Sequence, residues 1–323
     1  MKRIYIILIL LSVASLVSAQ QAGQYSLNQL NPFRYNPAYA GLDNSLSATG
    51  IYRTQWTGIQ GNPTYFTANA HMPLYFLQGG IGINIEQEEL GASEWLKADI
   101  AYNYQLQLGK KGVLSLGLDG GIIQYTLDGA QLRTPEGEYI EGQTAIDHKD
   151  DLLPISIDRG MAPTFDFGAY YQSETFFGGL AVQNLSGARI SLSTLEFLTE
   201  RTYIAEVGAN FEMNRTLTLT PYIYVKSDLI QTQTDVSVLL KYENRFFGGV
   251  TYRGYDRYTS DALVFIGGIR LNEKMNLAYA YDLTLSQLRN YSAGSHEILI
   301  NYNLGKPIGK GKLPGIIYNP RSR

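Results

Sequence analysis

The residues able to do chemistry are few. The chain has three histidines, His71, His148 and His296, and no cysteine. Zinc sites draw on His, Cys and carboxylates at short spacings, and these histidines are far apart in sequence. His296 follows Ser295, the residue types a hydrolase needs side by side. Adjacent residues on a strand point to opposite faces, however, so they do not pair simply. No enzyme, metal site or cofactor is expected. A second group lies in "YRTQWTGIQGNP" (52–63). Arg53, Gln55 and Trp56 are types that anchor protein contacts. Gly58, Gly61 and Pro63 instead suit a loop that turns back tightly. Two readings stand, a structural loop with an interfacial tryptophan and a contact for a partner. A third group is the long acidic run 128–160, which lacks the twelve-residue spacing of a calcium loop. A loop of that length is commonly a lid or binding surface, and an inert solvated loop is the plain alternative.

What must position these groups is read from composition and pattern. Tyrosine (25) and glycine (33) are abundant, and the formal net charge of −3 argues against a nucleic-acid partner. After residue 19 no apolar run approaches the ~20 residues of a spanning helix. The other way across a membrane is a closed β-barrel. Period-two alternation recurs through the chain. In "WLKADIAYNYQLQL" (95–108) the even positions are apolar or aromatic and the odd ones almost all polar. Segments 216–226, 275–283 and 297–304 repeat the pattern. A soluble β-sandwich alternates too, but the long strands suit tilted membrane strands of ~9–11 residues plus rims.

Fourteen strands are placed near 44–53, 63–72, 78–88, 94–108, 112–126, 163–173, 175–184, 201–212, 215–227, 232–242, 246–255, 260–271, 274–284 and 293–304. The connections alternate short and long, as expected of an outer-membrane barrel with periplasmic turns and external loops. The inner face carries both signs of charge, among them Lys97, Asp99, Asp119, Asp166, Glu206, Lys226, Asp235, Lys241, Arg270, Asp282 and Glu297. A selective ion pore would carry rings of one sign. Mixed charge fits an interior filled by loop, plug or partner. On the fourth strand an arginine at lipid-facing Ile100 is expected to be costly, and one at inward-facing Asn103 milder if there is room.

The ends complete the division. "MKRIYIILILLSVASLVSAQ" has the order of a secretory signal peptide cleaved after Ala19. Residues 20–43, with Pro32 and Pro37, form an irregular periplasmic segment able to enter the lumen as a plug. The barrel is 44–304. The tail 305–323 has five basic residues and no acidic one; Lys310, Lys312 and Arg321 are its candidate docking residues, a disordered terminus being the alternative.

"QYSLNQLNPFRYNPAYAG" (24–41), "YRTQWTGIQGNP" (52–63) and "SHEILINYNL" (295–304) together resemble the PorP/SprF family of type IX secretion outer-membrane proteins of Bacteroidetes. The resemblance spans the mature chain up to Leu304. It implies a non-enzymatic barrel that supports secretion or surface attachment of particular cargo, gliding adhesins in some members. The implied partners are outer-membrane lipid, secreted cargo or adhesin, and other secretion components on the periplasmic side. A porin or fatty-acid-type transporter is the competing reading, and an outer-membrane lipid enzyme a third.

Overall fold

The structure, a computed structural model, describes residues 23–109, 111–139, 146–255 and 259–306. The expected signal peptide and the tail residues Lys310, Lys312 and Arg321 lie outside them.

Fourteen strands close into a barrel. They are β1 Ser47–Thr54, β2 Thr64–Leu74, β3 Gly79–Leu90, β4 Ser93–Leu108 and β5 Gly112–Asp128. Next come β6 Ile157–Gln172, β7 Phe176–Gln183, β8 Thr202–Ala209, β9 Leu217–Ser227 and β10 Thr232–Tyr242. β11 Phe246–Tyr255, β12 Thr259–Arg270, β13 Met275–Thr284 and β14 Ser295–Asn303 finish it. Each strand pairs with its sequence neighbours in one sheet. The ring closes antiparallel between β1 and β14, Ser47 opposite Asn303 through Thr54 opposite His296. Closure leaves no unpaired edge, which a lipid-embedded sheet requires. The expected boundaries hold within a few residues except at β6, which starts six residues earlier, at Ile157 rather than 163. There it continues its ladder with the upper end of β5, Asp128 opposite Ile157.

The alternation sorts the two faces as read. Ile100, Leu118, Phe165, Val236 and Ile300 project outward, exposed to lipid. Exposed aromatic rings mark both rims, Tyr52, Phe66 and Tyr252 at the long-loop end, and Tyr104, Tyr171, Tyr242 and Tyr302 at the short-turn end. Two such girdles are the mark of an outer-membrane barrel, whose short turns face the periplasm. The barrel is uneven in height. β4, β5 and β6 have 16, 17 and 16 residues, whereas β1, β7 and β8 have 8 each. Beyond Ile85, Ala98 and Ile122 the outer face of this tall flank carries Gln87, Glu89, Glu94 and Gln124 alongside the apolar Leu96, Met161 and Ile157. The flank stands higher than the short strands at the long-loop end.

The N-terminal segment is inside the barrel. Its sequence dictates three single-turn 3-10 helices, Asn28–Leu30, Pro32–Arg34 and Pro37–Tyr39. In the second and third a proline opens the turn, where its fixed φ fits and its missing N–H is not needed. Asn36 caps the third by accepting from the Ala38 N–H at 3.0 Å. The segment runs from Gly23 in the outer half, where Lys226 donates to its carbonyl at 3.1 Å, to Ser45 at the periplasmic end, hydrogen-bonded to Asn303. It thus reaches further up the lumen than a periplasmic segment entering from below needs to.

Candidate functional site

The plug is hydrogen-bonded to the wall around it along its length. Strand glycines make room on the wall. A Cβ at Gly80 would collide with the Ala40 carbonyl, and one at Gly117 with the backbone of Pro37 and Ala38. Opposite them Asn103 donates to the carbonyls of Pro37, Ala38 and Ala40 at 3.2, 2.9 and 2.7 Å. Asn103 is wholly buried, so the inner face lacks the room on which a milder effect of an arginine there depends. His71 is a plug contact also. Its Nδ1 accepts from the Gly41 N–H at 3.0 Å, and its Nε2 lies 3.7 Å from Asp43. Tyr35 donates to Glu206 at 2.7 Å and meets Tyr224 edge-on at 5.2 Å. Burial pushes the Tyr35 phenol well above its usual range, so it acts as a neutral donor.

The start of the plug is held by a buried ion network. Arg53, the arginine of "YRTQW", reaches Asp282 at 2.8 Å and Glu297 at 3.2 Å. Arg253 reaches Asp235 at 3.0 Å and Asp282 at 2.9 Å. The Ser26 hydroxyl joins the two, accepting from both guanidiniums at 3.0 and 3.1 Å and donating to Asp282 at 2.7 Å. Glu297 accepts from the Ser26 and Leu27 N–H groups at 2.7 and 3.1 Å. Both arginines have no solvent exposure. Charges this deep are tolerated only when every partner is present. Five strands, β1, β10, β11, β13 and β14, are locked to one serine.

Residues 52–63 resolve into their parts. Arg53 and Gln55 point into the lumen, Gln55 donating to Gln24 at 2.7 Å, and the hydrogen bonds they make lie inside the chain. Trp56 is half-buried, in the left-handed region at φ +52°, and its N–H donates to Ser295 at 3.1 Å. Gly58 and Gly61 have φ of +98° and +71°, which glycine adopts without strain. Pro63 closes the loop by accepting from the Gln55 N–H at 2.9 Å. The loop is pinned to its neighbours through Thr57 with Gly294 and Gly61 with Gly91.

The acidic loop folds on itself. His148 lies between the Tyr139 hydroxyl and the Pro154 carbonyl, both at 3.0 Å. A hydrogen bond from Lys149 holds the Asp147 carboxyl below its ordinary range. His296 faces outward onto Tyr279 at 2.6 Å, while Ser295 is buried, as expected of strand neighbours. Among the described residues no group of His, Cys, Asp and Glu could hold a metal ion.

Above the plug, against the tall flank, lies a cavity of about 340 Å³. Its floor is Gly23, Tyr25 and Arg34, and its walls include Glu86, Glu88, Trp95, Lys97, Tyr125 and Lys226. Trp95 and Tyr125 pack at 4.5 Å, and Tyr125 meets Phe197 at 4.3 Å. Phe197 belongs to the small hairpin Arg189–Ser191 with Glu196–Leu198, which covers this side. A second space of about 40 Å³ lies at the periplasmic end, beside Leu30, Tyr39 and Gln172. The plug stands between them. Sequence reading did not single out Arg253, Ser26 or Trp95. Alternation alone assigns Arg253 to the inner face of β11, but nothing local says what it meets.

A family model described as "Type IX secretion system membrane protein PorP/SprF" matches residues 17–302. The chain belongs to the PorP/SprF family. This membership and the closed fourteen-stranded barrel place it in the outer membrane. Among solved structures, this PorP/SprF protein is similar to the toluene transporter TbuX of Ralstonia pickettii. The identity there is 12%, over 83% of this chain and 91% of that one, with a TM-score of 0.47. It is also similar to the monoaromatic hydrocarbon channel CymD, at 9% identity over 84% and 91% with a TM-score of 0.47. The outer membrane protein Omp33 of Acinetobacter baumannii follows, at 5% over 82% and 100% with a TM-score of 0.45. Likeness at this level carries nothing about what the PorP/SprF chain binds. No curated protein matches it in sequence.

Proposed function

We propose that this protein is a non-enzymatic component of the type IX secretion system that supports the secretion or surface attachment of particular cargo proteins, adhesins among them. The supporting observation is the filled lumen. A general pore needs a continuous aqueous path, and residues 24–43 occupy that path, nearly all of them buried. Such a barrel works by holding proteins in position, with cargo and other secretion components as partners and lipid around it. A deletion strain scored on surface proteome and on small-solute uptake tests this. The expected result is one class of cargo stranded in the periplasm with uptake unchanged. Every surface protein in place, with uptake impaired, would replace the reading with a transporter.

A further inference from the structure

The outer cavity is not explained by holding the plug. It lies at the long-loop end of the barrel, above the plug, so whatever enters it comes from the external side. Its volume is within the ~300–1,000 Å³ of small-ligand pockets. Its charge is lopsided. The cations are engaged at short range, Arg34 with Glu86 at 3.2 Å, Lys97 with Asp166 at 2.5 Å and Asp99 at 3.6 Å, and Lys226 with the Gly23 carbonyl at 3.1 Å. Asp119 adds a third carboxylate to that group, accepting from the Asp166 N–H at 3.1 Å. Glu88, Glu200 and Asp228 also line the space. Four carboxylates, Glu86, Glu88, Glu200 and Asp228, thus line the space against three cations. Asp99, Asp119 and Asp166 stand behind Lys97, and low-dielectric walls focus such a field. Trp95 and Tyr125, tilted against each other, form an aromatic part of the wall, which Tyr65 and Tyr224 also line. Negative charge beside aromatic rings is the chemistry that takes a cation with an apolar body.

We infer that this cavity binds a basic peptide segment from the external side, an arginine or lysine side chain entering toward Glu88 while an apolar neighbour lies along Trp95 and Tyr125. The inference deepens the partner-holding reading above and rests on it for the source of the peptide.

The chain has two tryptophans, so Trp56→Phe leaves Trp95 as the sole indole reporter. Purified protein in detergent is titrated with an acetylated, amidated tetrapeptide of glycine, phenylalanine, arginine and glycine, and with its counterpart carrying glutamate for arginine. The expected result is a saturable change in Trp95 emission with the basic peptide alone, weakened about ten-fold by Glu88→Gln. Glu200→Gln, read the same way, serves if the first variant does not reach the heat-modifiable folded form. No saturation, equal response to the acidic peptide, or undiminished affinity in the variant overturns the inference. So does saturation by a neutral oligosaccharide without response to the basic peptide. Any of these, with cargo still stranded in the deletion strain, removes the cavity's role and leaves the secretion reading intact.

Discussion

Around the start of the plug the lumen is built in two ways. On the flank of β1 and β10–β14, strands of 8 to 12 residues surround Ser26 with two arginines and the carboxylates of Asp235, Asp282 and Glu297. Small apolar residues, Ala262, Val264, Ala280 and Leu299, fill in behind. On the flank of β3–β6 the strands rise higher, a hairpin covers them, and charged groups line open space. Both flanks carry mixed charge, so composition does not separate them. The plug touches both walls, through Arg34 with Glu86 on the tall flank and through Ser26 on the other. What differs is the space left between plug and wall. Where the plug fills it, charge becomes a fastening; where the cavity remains, charge also lines open space.

The sharpest way to break this comparison is to remove charge on each side. Arg253→Met leaves Asp235 and Asp282 without that cation in a dry site and should cost about 3–5 kcal/mol. Glu88→Gln on the cavity wall keeps the shape of a partly buried side chain and should cost less, about 1 kcal/mol. Urea unfolding in detergent, followed by circular dichroism, measures both, and equal losses would erase the distinction. Next in size is Ile100→Arg, at about 2–4 kcal/mol near the bilayer midplane. Asn103→Arg tests the plug rather than the lipid face. It should displace the segment from the wall, and planar-bilayer recording should show conductance that the parent and Ile100→Arg lack. Ser26→Ala removes the hydroxyl between the two arginines and should cost about 1–3 kcal/mol, whereas Ser93→Ala at the cavity rim should be near neutral. Smallest is Trp56→Ala, expected to leave the barrel folded, heat-modifiable gel mobility unchanged, and cargo display reduced only if the loop meets a partner.

The barrel was legible because alternation is a local property. Whether Leu96 and Lys97 face opposite ways needs no knowledge of the rest of the chain. The strand count and the inward charges followed from it, and the two Asn-Pro steps announced an irregular segment. The start of β6 was not legible, because residues 157–162 are held by pairing with β5 and show no clear alternation of their own. Arg53 was visible but ambiguous. An arginine at a strand end next to a tryptophan fits a contact as well as a fastening, and its partners Asp282 and Glu297 come from the far end of the chain. The cavity had no signature, since it exists only through the unequal height of strands brought together by closure.

The course of the plug has a practical consequence for work on the living cell. Gly23 lies in the outer half of the lumen, and Ser45 lies at the periplasmic mouth. Bulk fused directly ahead of Gly23 would therefore have to travel the bore or have the staves close around it. A folded reporter fused there should block seating of the segment, whereas an internal epitope in the acidic loop should be carried without harm.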